Sequence, residues 1–375
     1  MKYSIEIGKI VEGALKRDQI KVFNYTKQLI SRLEEDEELR AATKFNKLLM
    51  SQNEAVLSAM GIKRDAIIPV DTESRAVLAD IIYPDDNYAE VIFSKRNTES
   101  LESFLLNYKN ADKLNSYGID ISNTLLLYGP PGCGKTQCAY IIAKKLNLPL
   151  VVARLDSLIS SYLGTTAKNI RALFDFAQKM PCVLFLDEFD AIAKARDDNN
   201  ELGELKRVVN SLLQNVDSMG SGSLLVAATN HDNLLDTAVW RRFDYKLKIE
   251  LPDIDAILKM IDLFSKKKHN LSEKEKYEFA IATEGLSGAN IEEIITKAIR
   301  NAVINNKPIN KQGFYEELFL FKGIIPQNYE NEKQLLRIKS QFLREINKKV
   351  FSLQRIADIL GSSKSTISKL IKEDE

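Results

Sequence analysis

Cysteine and histidine are nearly missing from this chain: its 375 residues include three of the first and two of the second. Cys133, Cys138 and Cys182 make no disulfide framework, and two of them fall close together, so a reducing cytoplasm is the expected setting. His231 and His269 stand far apart with no cysteine beside either, which argues against a zinc site. No apolar run approaches the length that crosses a bilayer, so no membrane partner is expected. The opening Met1-Lys-Tyr-Ser-Ile-Glu-Ile lacks the apolar stretch and small-residue cleavage site of a secretory leader. A net charge of +1 gives the chain as a whole no bias toward polyanions. What is present is 45% apolar residues, enough for real cores in two or three domains.

The chain is organised around residues 124–136, Thr-Leu-Leu-Leu-Tyr-Gly-Pro-Pro-Gly-Cys-Gly-Lys-Thr. The apolar run Leu125–Tyr128 enters Gly129, and Gly129–Thr136 fits G-x-x-x-x-G-K-[ST], a strand, phosphate loop and helix start. Gly129, Gly132 and Gly134 let the backbone bend sharply and approach an anion, with Pro130, Pro131 and Cys133 between them. Freed N–H groups and the positive end of the helix that begins near Gln137 would then face phosphates. Lys135 is expected on the β- and γ-phosphates of ATP, and the Thr136 hydroxyl on Mg²⁺. A Gly/Pro turn with a chance Lys-Thr is the alternative. The strand before and the helix Gln137–Leu146 after argue against it.

Residues 1–60 predict three helices, from apolar stripes beginning at Ile5, Val22 and Leu39, with breaks near Arg17-Asp18 and Glu34–Glu38. Such a helical N-terminal domain suits docking to a partner. Residues 61–85, with Pro69 and Pro84, predict a linker. A short strand is expected at Ala89–Phe93 and a helix at Thr98–Leu114. Beyond the loop, strands at Leu150–Arg154, Cys182–Leu186 and Ser223–Ala228 alternate with helices at Ala167–Lys179 and Leu202–Asp217. That alternation predicts an α/β fold, a parallel sheet with helices on both faces. Ligands of such sheets bind at the carboxyl ends of the strands.

The remaining polar motifs fall at those ends. Cys182-Val-Leu-Phe-Leu delivers Asp187 and Glu188, where Asp187 would help hold Mg²⁺ and Glu188 would act as general base on the attacking water. The next strand ends at Asn230, whose amide can donate and accept to orient that water, although an Asn in a turn explains it equally. Then come Arg241 and Arg242. One of them, given to a neighbouring subunit's γ-phosphate, would stabilise transition-state charge, or both are surface charges.

Taken together, these motifs resemble the AAA family (ATPases associated with diverse activities) from roughly Asp86 to Lys322. The resemblance implies a P-loop NTPase large α/β subdomain over 86–252 and a helical lid over 253–322. It also implies a ring, usually a hexamer, with ATP between subunits. Gly285-Leu-Ser-Gly-Ala-Asn looks like the family's segment beside the adenine, which assigns Gly288 and Ala289 to the nucleotide. The family has Arg-Pro-Gly-Arg before Phe-Asp. Here Arg241 and Arg242 are adjacent, Arg242 aligning best by its distance to Phe243, and the choice of finger stays open.

Ser160-Ser-Tyr-Leu-Gly resembles the aromatic-hydrophobic-Gly loop that lines the pore of protein-remodelling members, so Tyr162, Leu163 and Gly164 are candidates to grip an extended polypeptide. Burial of Tyr162 against Phe174 and Phe176 is the alternative. At the other end, 330–375 resembles a helix-turn-helix. Ala357 is small at a helix crossing, Gly361 lies in the turn and Ile367 and Leu370 face inward, leaving Lys364, Ser365, Thr366 and Lys369 toward a DNA groove. Residues 333–375 hold ten Lys/Arg against five Asp/Glu, an asymmetry suited to phosphates, though helical hairpins also dock proteins. Two functions follow as expectations. One is an ATP-driven motor that remodels or threads a protein client, beside an effector such as a protease. The other is an ATPase recruited to double-stranded DNA in a replication, transposition or phage-defence complex.

Overall fold

The computed structural model describes residues 2–50, 68–71, 73–84, 90–119, 123–158, 163–193, 204–219, 222–235, 237–325 and 331–372. They form two compact units: Met1–Ala89, Asn97–Gly129 and Lys135–Ile249 make the first, and Glu90–Arg96, Pro130–Gly134 and Glu250–Glu375 the second.

The first unit begins with helices Ser4–Leu15, Gln19–Glu35 and Leu39–Met50. They break where the apolar stripes lapse, at Arg17 and Glu37, both left-handed. Asp18 caps the second helix by accepting from the Lys21 N–H at 3.0 Å. Leu29, Ile30 and Leu33 of that helix pack with Tyr3 and Ala42. At their margin Glu6 accepts from the Arg32 guanidinium at 2.6 Å.

A six-stranded sheet follows: β1 (Ala79–Ile82), β2 (Thr124–Tyr128), β3 (Leu150–Ala153), β4 (Val183–Leu186), β5 (Leu224–Thr229) and β6 (Tyr245–Lys248), in spatial order β1-β3-β4-β5-β2-β6. β4 and β5 are buried along their whole length, as strands covered on both faces must be. Phe174, Phe189, Phe243, Leu212 and Val239 fill the space between the sheet and its helices.

The sheet corrects three expectations. It is mixed, because β1 pairs antiparallel with β3 while the other pairs are parallel. β1 lies inside the stretch 61–85 assigned to a linker; Ala-Asp-Ile-Ile is too short to show a period of two. The strand expected at Ala89–Phe93 is not formed over residues 90–93, and Ala89 lies outside the described residues. Val91 and Phe93 instead pack on the phosphate loop, where a Cβ added to Gly134 would meet them at 3.6 and 3.4 Å. The helix expected at Thr98–Leu114 is two, Lys95–Lys109 and Ala111–Ser116. β6 went unanticipated, since only Leu247 of Tyr-Lys-Leu-Lys is buried.

The second unit is helical: Ile254–Phe264, Glu273–Ala282, Gly288–Ile304, Lys311–Phe321, Glu332–Ile346, Leu353–Leu360 and Lys364–Lys372. Ser272 and Glu275 form a reciprocal capping box at the second of these. Ser287, Asn331, Ser352 and Ser363 cap later ones through their side-chain oxygens. A single core contains Phe279, Phe314 and Phe319 together with Leu343, Phe351, Ile356 and Ile367, so the described parts of 253–322 and 330–375 are packed as one body. Two ion pairs reinforce the join: Arg355 to Glu278, bidentate at 2.7 and 2.7 Å, and Lys339 to Glu316 at 2.7 and 2.8 Å. Among the described residues, no helix is long and apolar enough to cross a membrane.

Candidate nucleotide site

β2 leads directly into the phosphate loop, whose backbone only glycine tolerates at the key turns. Gly129 has φ 137°, and a Cβ there would lie 2.2 Å from the Ile249 carbonyl oxygen. Gly132 has φ 73°, and its Cβ would reach the Ser287 hydroxyl at 2.7 Å. Lys135, buried in the first turn of helix Lys135–Leu146, donates from Nζ to the Gly129 carbonyl at 2.8 Å. A polyphosphate at the loop's N–H groups would lie within reach of that ammonium and be neutralised by it. Pro130 and Pro131 stiffen the loop's crest. Cys133 turns inward, its Sγ 3.8 Å from the Pro131 carbonyl.

Next to Lys135, the Thr136 hydroxyl donates to Asp187 Oδ2 at 2.6 Å. A hydroxyl and a carboxylate held together at the tips of neighbouring elements are hard-oxygen ligands of the kind Mg²⁺ takes, and they can hold one without rearranging the backbone. Gln137 follows, its side-chain Oε1 buried with no hydrogen-bond partner among the described residues. An unsatisfied acceptor beside the phosphate loop fits a ligand that brings its own donors.

Glu188, directly after Asp187, is exposed and left-handed at φ 48°. A non-glycine residue there stores roughly 1–3 kcal/mol of strain, which its neighbours must hold. They do: the Phe189 N–H donates to the Ala228 carbonyl at 2.8 Å, and the Glu188 N–H to Asp187 Oδ1 at 2.9 Å. Sequence reasoning missed a second brace. The buried Thr229 hydroxyl donates to Asp190 Oδ1 at 2.9 Å and accepts from the His231 N–H at 3.0 Å, fixing the backbone on both sides of Asn230. Its only signal was an acidic residue three after Asp187 and a hydroxyl one before Asn230.

Arg241 and Arg242 end the helix Thr237–Arg242 and differ sharply. Arg242 Nε donates to both oxygens of Asp217, at 3.1 and 3.2 Å. Arg241 is exposed and, among the described residues, has no ion pair.

Within the second unit, the Ala289 N–H at the start of helix Gly288–Ile304 donates to the Gly132 carbonyl at 3.0 Å. That helix's first turn is therefore fastened to the loop. Leu163 and Gly164 lie in the first turn of helix Leu163–Ala177, and Tyr162 lies outside the described residues. Lys364, Ser365, Thr366 and Lys369 are all exposed on helix Lys364–Lys372, while Ile367 and Leu370 are buried.

A strand–loop–helix with a buried lysine, a hydroxyl–carboxylate pair and an exposed glutamate just past the tip of β4, one strand removed from β2, define a nucleotide-hydrolysing P-loop domain. Residues 125–251 match the family model described as ATPase family associated with various cellular activities (AAA). An uncharacterised AAA family ATPase of Sinorhizobium fredii is 43% identical over 247 residues, 66% of this chain and 74% of that protein. A proteasome-activating nucleotidase of Methanococcus maripaludis is 30% identical, over 67% of this chain and 64% of its own length. An ATP-dependent zinc metalloprotease FtsH of Parabacteroides distasonis is 34% identical over 62% of this chain, a match that spans 36% of the protease. The crystal structure of the FIGL-1 AAA domain in complex with ADP superposes with a TM-score of 0.55 at 21% identity, covering 76% of this chain and 95% of that one, which supports the fold. The chain belongs to the AAA family and is an ATP-hydrolysing enzyme.

Proposed function

We propose that the chain works as a ring of like subunits that uses Mg²⁺-ATP to remodel or thread a protein client. Mg²⁺ is held through Thr136 and Asp187, Glu188 activates water, Asn230 orients it, and Gly288 and Ala289 lie beside the base. The observation that carries the ring is the contrast between the two arginines. Asp217 already occupies Arg242, so Arg241 is the one available to a neighbouring subunit's γ-phosphate, where it would stabilise the charge of transfer. The client reading is supported by relatives whose names place them at proteases and proteasomes. It assigns Tyr162, Leu163 and Gly164 to a grip on the polypeptide, and the N-terminal helices to recruitment.

Mixing tests the ring. Arg241→Ala and Glu188→Gln proteins should each be inactive alone. Combined, they should recover turnover, because a Glu188→Gln subunit can lend its arginine to an intact Glu188 next door. Silence in the mixture would refute trans action. Tyr162→Ala should keep basal turnover and lose work on an unfolded-protein client.

The exposed basic face of Lys364–Lys372 favours a second reading, recruitment to duplex DNA. Because these helices share the lid's core, truncation would damage the ATPase. The test is turnover and DNA affinity of Lys364→Glu/Lys369→Glu, and affinity equal to wild type would exclude this face.

A further inference from the structure

The last paired residues of β4 and β5 are Leu186 and Ala227. Beyond them the two chains continue as the turn that carries Glu188 and the turn that carries Asn230, and the β4–β5 ladder no longer dictates their spacing. Among the described residues, neither the Glu188 carboxylate nor the Asn230 side-chain amide has a hydrogen-bond partner. Where their functional atoms stand is therefore decided by their backbones. Glu188 departs furthest from relaxed geometry, with φ 48°, a conformation that a non-glycine residue keeps only while its surroundings hold it.

Among the described residues, two hydrogen bonds join the turns past Leu186. The Phe189 N–H donates to the Ala228 carbonyl at 2.8 Å, and the Thr229 hydroxyl donates to Asp190 Oδ1 at 2.9 Å. The first belongs to the backbone. The second is made by side chains, both of them buried. The same hydroxyl accepts from the His231 N–H at 3.0 Å, so it gathers the residues before and after Asn230 into one turn. Asp190 stands two residues after Glu188. Between them Phe189 is fully buried and meets Phe243 edge-on, ring centroids 5.6 Å apart. Glu188 and Asn230 thus each sit beside a buried anchor, and the Thr229–Asp190 bond ties the two anchored turns together.

We propose that Thr229 and Asp190 are a positioning pair for ATP hydrolysis. Their hydrogen bond sets the spacing between the Glu188 carboxylate and the Asn230 amide, so that one water can meet both. Resting on the roles given above to Glu188 and Asn230, the proposal makes turnover depend on two buried side chains that act only through their neighbours. Displacing a reacting group by about 1 Å costs up to about a hundredfold in rate. Nucleotide affinity, set by the phosphate loop at the end of β2, has no such dependence. The loss therefore falls on kcat and not on KM.

Thr229→Val/Asp190→Leu in the full-length chain removes the bond without stranding either side chain's polar group. Steady-state turnover of Mg²⁺-ATP should fall about tenfold or more in kcat, with KM and ADP affinity within about threefold of wild type. Thr229→Ser and Asp190→Asn, which keep the hydroxyl and an acceptor oxygen, should each stay within about threefold in kcat. In single-turnover assays on a Glu188→Gln background, the pair replacement should add less than about threefold to the loss, because the spacing no longer matters once one of the two groups is gone. A general loosening of the fold would multiply the two losses instead. Thr229→Ala, which leaves room for a water on Asp190, gives the same reading should the pair replacement not fold. A kcat within about threefold of wild type, a loss shared equally by ADP affinity, or losses that multiply with Glu188→Gln overturn the proposal. Full turnover by Glu188→Gln or Asn230→Ala removes the roles it rests on, and the proposal with them.

Discussion

Replacing Arg355 by Met should detach the C-terminal helices from the lid without touching the nucleotide site. Arg355 and Glu278 meet through two bonds of 2.7 Å, with side-chain exposures of 23% and 4%. Removing the arginine strands a carboxylate that water can barely reach. Breaking a fully buried pair costs about 3–5 kcal/mol, and the partial exposure of Arg355 puts this one near the lower figure, about 3 kcal/mol. Since each 1.4 kcal/mol is a factor of ten, the opening equilibrium of residues 353–372 should rise about a hundredfold. Hydrogen exchange followed by mass spectrometry on the full-length chain reads that opening segment by segment. The control is Glu278→Leu/Arg355→Met, in which no buried charge is left behind, Asp358 being half-exposed, and the two side chains fill a similar volume. It should return exchange to within about tenfold of wild type. An increase under about threefold for Arg355→Met, or a double variant as open as the single, would refute the reasoning.

Three further outcomes follow from the geometry. Arg241→Ala should abolish steady-state ATP turnover while leaving nucleotide affinity within about twofold, whereas Arg242→Ala should mainly lower the melting temperature by loosening Asp217, losing about 1 kcal/mol or less. Gly222→Ala should destabilise the first unit by about 1–3 kcal/mol in denaturant titration, because a Cβ there would lie 2.1 Å from the Tyr25 hydroxyl. Among the described residues that hydroxyl has no hydrogen-bond partner, so Tyr25→Phe alone should cost little and should partly rescue Gly222→Ala. The Ser74 hydroxyl and N–H and the Asn169 amide hold Asp71 down to about 2. A carboxylate depressed in the folded state stabilises above its unfolded value and ceases to as pH falls through the folded one. Exchange protection of the turn around Ser74 should therefore be flat from neutrality to about pH 4 and fall toward pH 2, and Asp71→Asn should remove the acid limb.

The parts legible in sequence were those where one local rule decides the outcome. Gly129–Thr136 announced itself because a phosphate loop needs glycines, a lysine and a hydroxyl at fixed spacing. The N-terminal helices were visible in their apolar stripes and polar breaks. β1 and β6 were not, because a four-residue edge strand is defined by the neighbour it pairs with, and that neighbour is distant in sequence. The two arginines looked equivalent for the same reason: Asp217, which separates their roles, is close only in space. So too with the C-terminal helices, whose attachment through Glu278 belongs to no pattern within residues 330–375.

The strand order carries a consequence for how the enzyme is made. β2, which holds the phosphate loop in place, has β5 and β6 as its neighbours, and both are synthesised roughly a hundred residues after it. A nascent chain that has displayed Gly129–Thr136 to solvent still lacks both flanks of its central strand. The loop can therefore become a competent nucleotide receptor only once Lys248 has left the ribosome, so a half-made chain is spared futile capture of ATP.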